Sequence, residues 1–283
     1  MVPDVLTRAL VPRLTQFSRE LAGARRGSVR GVHQSRVASR RLREGLAALE
    51  AVVPDDEHRR AVRALREMAR ALGAVRECDV TIALVGTYAA RHDWPATVVA
   101  QVLQSSQEDR KRRRRELLRV LANTRRRRAV AQVKSLLPQI STPESRRAVS
   151  EAAVHRRRTR ATALAKHLRH LGTLYVPDQL HAVRLATKKL RYALEWEQQV
   201  GRRAWVRERR LLEKAQEALG AWHDVLILQE RLHRLRRSGD WPRLTTSDLK
   251  HMAAQLEREC RAHHALILAM CPALARLAKA ANR

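Results

Sequence analysis

Apolar residues recur at three- and four-residue intervals along almost the whole chain, the spacing that gathers one greasy stripe on a helix. Strand-like alternation does not persist anywhere. The pattern is punctuated at Gly27 and Gly31, Pro54, Gly73, Trp94-Pro95, Pro138, Ser141-Thr142-Pro143, Gly172, Pro177, Gly201, Gly220, Gly239 and Trp241-Pro242, and each of these is read as a break. Between the breaks lie segments of ordinary helix length, with one longer helix expected over 96–137. Pro54 followed by DDEH reads as a stop and then an acidic helix start, where carboxylates suit the positive end of the helix dipole. The pattern predicts an all-α protein.

The pattern also repeats. Residues 32–46, VHQSRVASRRLREGL, align with residues 180–194, LHAVRLATKKLRYAL, with six identities in fifteen positions. Farther on, LGAVRECDV (72–80) answers LGAWHDV (219–225) in the same order. The expectation is an internal duplication: two pseudo-symmetric helical bundles, a first repeat over 1–140 and a second over 141–283, packed into one body.

Advancing about 100° per residue with His33 at zero puts Arg36, Arg40 and Arg43 at about 300°, 340° and 280°. Leu42, Leu46, Leu49 and Val53 fall opposite, between about 160° and 220°. His181, Arg184, Lys188 and Arg191 reproduce the first set of angles, and Val183, Leu190 and Leu194 the second. Arg41 and Lys189 stand on the other flank, near 80°. Each helix thus buries one stripe and carries a ladder of cations, headed by a histidine, on a separate face. Like charges at such spacings destabilise a helix by about a few tenths of a kcal/mol per pair. Carrying that cost twice at matching positions points to an anionic partner.

Composition strengthens the point. Lys and Arg total 58 against 28 Asp and Glu, a formal net charge of +30. Arg dominates the cations, and its planar fork grips phosphate oxygens in pairs. Such a charge also predicts weak non-specific binding to nucleic acid. Aromatic residues, the stacking platforms of single-strand binders, make up only 3% of the chain, and no zinc-finger spacing, RNP motif or convincing helix-turn-helix is present. Cys78, Cys260 and Cys271 are odd in number and lack C-x-x-C spacing, which argues against a disulfide framework or zinc site and fits a reducing cytosol. No uninterrupted apolar run nears the ~18 residues of a membrane span, and the N-terminus lacks a signal-peptide layout. A cytoplasmic protein without membrane partner, metal or cofactor is expected.

At VHQSRVASRRLR and LHAVRLATKKLRYALE, supported by LGAVRECDV and LGAWHDV, the sequence resembles the CHAD family, the conserved histidine α-helical domain. The resemblance runs in order over essentially the whole chain. It implies two helical bundles forming a basic body that binds inorganic polyphosphate and associates with polyphosphate granules. It also implies binding roles for His33, Arg36, Arg40 and Arg43, for His181, Arg184, Lys188 and Arg191, and for the flanking Arg41 and Lys189. Arg76 joins them from the LG motif, whose second copy has Trp222 and His223 instead. The E-x-E-x-K mark of the triphosphate-tunnel domain often joined to this family has only EWEQQ and ERECR as near strings, both in helical surroundings.

Further cations occur as KRRRR (111–115), RRRR (125–128) and HRRRTR (155–160); these are read either as solvated helix surface with local ion pairs or as binding residues, Arg114 and Arg115 being assigned to the ligand. Asp79 and Asp224, which recur between the halves, are read as helix caps or as carboxylates that orient arginines. Two enzymatic alternatives are weighed. A histidine phosphotransfer bundle would use His33 or His181 as carrier. Polyphosphate hydrolysis would need metal-holding carboxylates, and no H-E-x-x-H or acidic cluster with ligand spacing is present. The expected function is therefore binding without catalysis.

Overall fold

The structure, a computed structural model, describes residues 5–50, 52–140, 142–201, 204–237 and 243–283. Ser141, Gly239 and Trp241-Pro242, read above as breaks, lie outside the described residues. Among the described residues there are nine α-helices, one short 3₁₀ turn at Pro138–Ile140 and no strand. The helices are α1 (Val5–Arg25), α2 (Val29–Ala48), α3 (Asp55–His92), α4 (Ala96–Val120), α5 (Asn123–Lys134), α6 (Pro143–His170), α7 (Pro177–Gln199), α8 (Val206–Arg237) and α9 (Arg243–Asn282).

Local chemistry sets several of the boundaries. Gly27 turns the chain between α1 and α2 at φ +86°, and the Ser28 side chain accepts from the Gly31 amide to start α2. Asp55, Asp56 and Glu57 occupy the first turn of α3, as the DDEH string predicts. Thr142 caps α6 through the Ser145 amide, with Pro143 in its first turn, and Pro177 opens α7.

Three of the expected breaks do not occur. Gly31, Gly73 and Gly220 lie inside α2, α3 and α8. A mid-helix glycine costs only about 1 kcal/mol relative to alanine, and tertiary packing overrides it here. At Gly31 the reason is close approach: a Cβ there would lie 2.4 Å from the Gly23 carbonyl carbon of α1. Gly73 and Gly220, by contrast, face open space. The single helix expected over 96–137 is two helices. Leu117 and Leu121 are fully buried at the end of α4, and the chain restarts at Asn123 so that Ala129 and Val133 of α5 reach the same core.

Consecutive helices pack as neighbours in both halves: α1 on α2, α2 on α3 and α3 on α4, then α6 on α7, α7 on α8 and α8 on α9. The halves differ in their outer helices, since α6 also packs on α9 whereas α1 meets the short α5. Two hydrophobic cores result. One gathers Phe17, Leu42, Leu46, Leu65 and Leu72 with Val133 and Val149, and the other Val85, Leu164, Leu190, Trp222 and Leu256. The cores do not follow the 1–140 and 141–283 division. The α3 helix supplies Leu72 to one and Val85 to the other, and Trp196 of α7 sits in the first core.

Across the middle, α2 packs on α7 and α3 on α8. A Cβ on Gly45 of α2 would lie 2.9 Å from the Trp196 ring of α7, so the absence of a side chain there lets the indole seat against α2. A buried ion pair ties further elements together: Arg157 of α6 holds Glu197 of α7 at 2.8 Å, Glu197 also accepts from the Trp205 indole at 3.1 Å, and Arg157 donates to the Ala281 carbonyl of α9. Removing one partner of such a pair costs about 3–5 kcal/mol. Within α9, Thr246–Asn282 is long and apolar enough by length and composition to cross a membrane, a property that counting uninterrupted apolar runs misses. In this fold one face of that helix, including Leu249, Leu256, Ile267 and Leu274, is buried in the second core.

Gly31→Ala is expected to lose about 1–3 kcal/mol of stability, because the new methyl meets backbone that cannot swing aside. Gly73→Ala, with open space around the position, should be neutral or stabilising by up to about 1 kcal/mol. Chemical denaturation midpoints of the two variants check the contrast.

Candidate anion-binding cleft

The middle of the molecule holds a cleft of about 630 Å³ framed by α2, α3, α7 and α8. Six arginines (Arg36, Arg40, Arg70, Arg76, Arg184 and Arg191) and Lys188 line it, against the carboxylates Glu77 and Asp224. It adjoins a second cavity of about 400 Å³ that shares Arg36, Arg40, Arg70 and Gly73 and adds Arg43 and Arg66. The ladders of α2 and α7 therefore meet across one trough. Two of the mid-helix glycines, Gly73 and Gly220, lie on its wall.

The apolar seams behind the ladders dictate this. Leu42 and Leu46 of α2 and Leu190 and Leu194 of α7 are fully buried, so the opposite helix faces must turn to the cleft. Tyr192 joins the two ladders: its hydroxyl accepts from Arg40 Nη1 at 3.0 Å, and its ring lies 4.4 Å from the Arg191 guanidinium. Arg191 is further held by Gln216 at 2.8 Å and Glu213 at 3.4 Å, both on α8.

The electrostatics are those of a site in which cations outnumber the acids beside them. Among the described residues, Arg36, Arg40, Arg43, Arg76, Arg184 and Lys188 make no ion pair. Burial, reinforced by Arg184, Arg40 and Arg36, brings the Lys188 ammonium down to about 6. Burial brings the Arg184 guanidinium to about 10, with Arg36 and Arg40 adding to the effect against the opposing pull of Asp224. His223 falls to about 3, first through burial and then through Arg184, so its ring stays neutral. His33 and His181 are also held below the ordinary histidine range, chiefly by burial and then by nearby arginines. Asp224 moves up because burial outweighs the surrounding cations.

Several residues assigned to the ligand from sequence sit elsewhere. Arg41 projects to the other side of α2 and pairs with Glu195 at 3.2 Å in a separate cavity, the outcome of its position on the opposite flank. Arg114 donates to the Arg25 carbonyl at 3.2 Å and braces the turn between α1 and α2. Arg115 and Lys189 are exposed and line neither part of the trough. His181 does not line it either; its ring packs 5.5 Å from His223, the residue that takes the wall position instead. The histidines heading the two ladders are thus not equivalent. In the run at 155–160, Arg156 pairs with Glu44 and Arg157 with Glu197, while Arg158 bonds the Arg283 carbonyl, so these arginines hold helices together. Asp79 and Asp224 are mid-helix and cap nothing. Asp79 pairs with Arg110 at 2.5 Å, and Asp224 stands in the cleft.

Sequence reasoning missed Arg66, Arg70 and Tyr192. The signal was present: Arg66, Arg70 and Gly73 share one face of α3, and Tyr192 falls at about 20° on the His181 wheel, within the ladder. Among the described residues no group of three or more His, Cys, Asp or Glu side chains comes together to hold a metal.

The lowered Lys188 value has a consequence for stability. Between about 6 and the ordinary lysine value of 10.5 the unfolded chain carries a proton that the folded chain does not. Stability from this group therefore rises with pH through that window and is lost as pH falls towards 6. Lys188→Met should stabilise the free protein at pH 7 and flatten the rise between pH 6.5 and 9.5. Denaturant melts at the two pH values read both effects.

The CHAD domain profile matches residues 8–233. Among solved structures, the CHAD domain from the plant Ricinus communis superposes with a TM-score of 0.71 at 21% identity, covering 98% of this chain and 91% of that one. PptA from Streptomyces chartreusis gives a TM-score of 0.71 at 18% identity, covering 95% and 98%. No curated protein matches the sequence. With the profile spanning most of the chain and the all-α architecture shared with these structures, the protein belongs to the CHAD domain family.

Proposed function

We propose that the protein binds inorganic polyphosphate in the trough between α2, α3, α7 and α8, without catalysis, in a reducing cytoplasm where it associates with polyphosphate granules. One observation carries this reading. The arginines that serve the fold, such as Arg156 and Arg157, are matched by internal acids, whereas Arg36, Arg40, Arg76, Arg184 and Lys188, which converge on the trough beside the acid-paired Arg191, make no ion pair among the described residues.

A linear chain of phosphates suits such a site. It presents closely spaced charge without bases to stack or edges to read, and the trough offers many donors with one aromatic ring, Tyr192, already engaged by arginines. Each charge-assisted hydrogen bond to a phosphate oxygen is stronger than a neutral one. Displacement of counterions adds a favourable term that shrinks as salt rises. Bringing a polyanion beside Lys188 also restores the conditions under which its amine holds a proton, so binding is coupled to proton uptake near neutral pH.

Arg36→Glu combined with Arg184→Glu is expected to weaken polyphosphate binding at least about 100-fold at fixed salt, since two strong contacts become repulsions. The same variant should be no less stable than wild type, because it relieves repulsion between like charges. Arg115→Glu, on the outer surface, should change affinity little. Titration calorimetry in two buffers of different ionisation enthalpy reads affinity and proton uptake together. Competition between long-chain polyphosphate and duplex DNA at one salt concentration discriminates the ligands, and a win for DNA overturns the proposal.

A further inference from the structure

Lys188 differs from the other cations of the trough in being a potential nucleophile. It lies on the wall with Arg184 on its own helix, Arg36 and Arg40 facing it from α2, Arg76 from α3, and His223 and Asp224 from α8. A small phosphate ester or anhydride seated among Arg36, Arg40 and Arg184 would occupy the same cleft as the Lys188 amine, which those arginines are near enough to perturb. We infer that Lys188 is a self-acylation site for acyl phosphates, the arginine cluster binding the phosphate while the lysine amine takes the acyl group. The inference rests on the anion-binding reading of the trough, but not on polyphosphate being the ligand.

The chemistry balances without a further reactant. The lone pair of Nζ attacks the acyl carbon, the bond between that carbon and the bridging oxygen breaks, and inorganic phosphate leaves with both electrons of that bond. The amine proton passes to solvent, and the product is an amide. The guanidinium groups that bind the ligand also stabilise the negative charge that grows on the departing phosphate. In the ligand-free site, with its ammonium brought to about 6 by burial and by Arg184, Arg40 and Arg36, opposed by Asp224, most of Lys188 is free amine at pH 7.5. An ordinary exposed lysine has roughly one part in a thousand in that form. A small acyl phosphate brings far less negative charge beside Lys188 than a polyanion does. Acylation would also end the proton uptake that accompanies polyanion binding, so the modification would weaken the binding it competes with.

Lys189, the adjacent and exposed lysine, is the internal control. The full chain is incubated with acetyl phosphate at pH 7.5 and acetylation of each lysine is followed by peptide mass spectrometry. Lys188 should be modified at least ~10-fold faster than Lys189, the gain in free amine being partly offset by lower intrinsic nucleophilicity. Its rate should level off above about pH 6–7 while that of Lys189 keeps rising. Excess pyrophosphate should protect Lys188 only. Arg36→Gln with Arg184→Gln should slow its reaction with acetyl phosphate far more than its reaction with an uncharged acetyl ester. Equal rates at the two lysines, or no effect of the arginine substitutions, overturn the inference. If polyphosphate binds tightly yet Lys188 is no faster than Lys189, the acylation inference falls and the binding proposal stands. If Lys188 reacts selectively and pyrophosphate protects it while polyphosphate does not bind, the reverse holds.

Discussion

The contact on which the trough depends is the seating of Trp196 of α7 against Gly45 of α2. A side chain at position 45 would meet both the indole and Leu10, so the two ladder helices approach as closely as they do because α2 presents bare backbone there. The approach is driven from behind, by Leu42 and Leu46 on one helix and Leu190 and Leu194 on the other, each fully buried. Burying a leucine is worth about 1.5–3 kcal/mol, whereas a pair of like charges on a helix surface costs about a few tenths. The apolar seams therefore win over the repulsion by a wide margin, and cations that would separate in solution are held face to face.

The distribution of acids decides what each arginine does. Glu44, Glu195 and Glu197 occur close to or behind the ladders, and each captures an arginine: Arg156, Arg41 and Arg157 respectively. Asp79 likewise engages Arg110, which also holds the Gly27 carbonyl at 3.0 Å. Arg231 of α8 reaches Asp109 of α4 at 2.6 Å. After these matches a surplus of positive charge remains along the trough, where Asp224 and Glu77 are outnumbered. A net charge of +30 spread evenly would be a solubility feature; here the fold concentrates part of it.

Much of this was legible in one dimension. Helical periodicity, the recurrence of VHQSRVASRRLR as LHAVRLATKKLR, and the angles of Arg36, Arg40, Arg184 and Lys188 all follow from short-range geometry, which sequence records directly. What was not legible depends on partners distant in the chain. Nothing near Arg41 or Arg114 announces Glu195 or the Arg25 carbonyl as their destinations. The interruption after α4 reflects where Leu121 must be buried, and the continuity of α3 through Gly73 and α8 through Gly220 reflects tertiary support that local propensity does not include. His181 lost its place on the wall because the shorter LGAWHDV motif sets His223 there, a substitution visible in the alignment but not interpretable without the packing of α7 on α8.

The clamp around Tyr192 gives the trough an uneven mechanical character. Arg40 and Arg191 have surrendered their rotamer freedom on folding, one to the phenol hydroxyl and the other to the ring face and Gln216. Arg66 and Arg70, at the α3 side, remain exposed and unclamped by any such ring. Each arginine side chain carries about 2 kcal/mol of rotamer entropy, so an anion arriving at the first pair meets donors already in position, while one arriving at the second must order them. A long anion lying along both would therefore meet a stiff end and a compliant one, and its ends would be gripped with different rigidity.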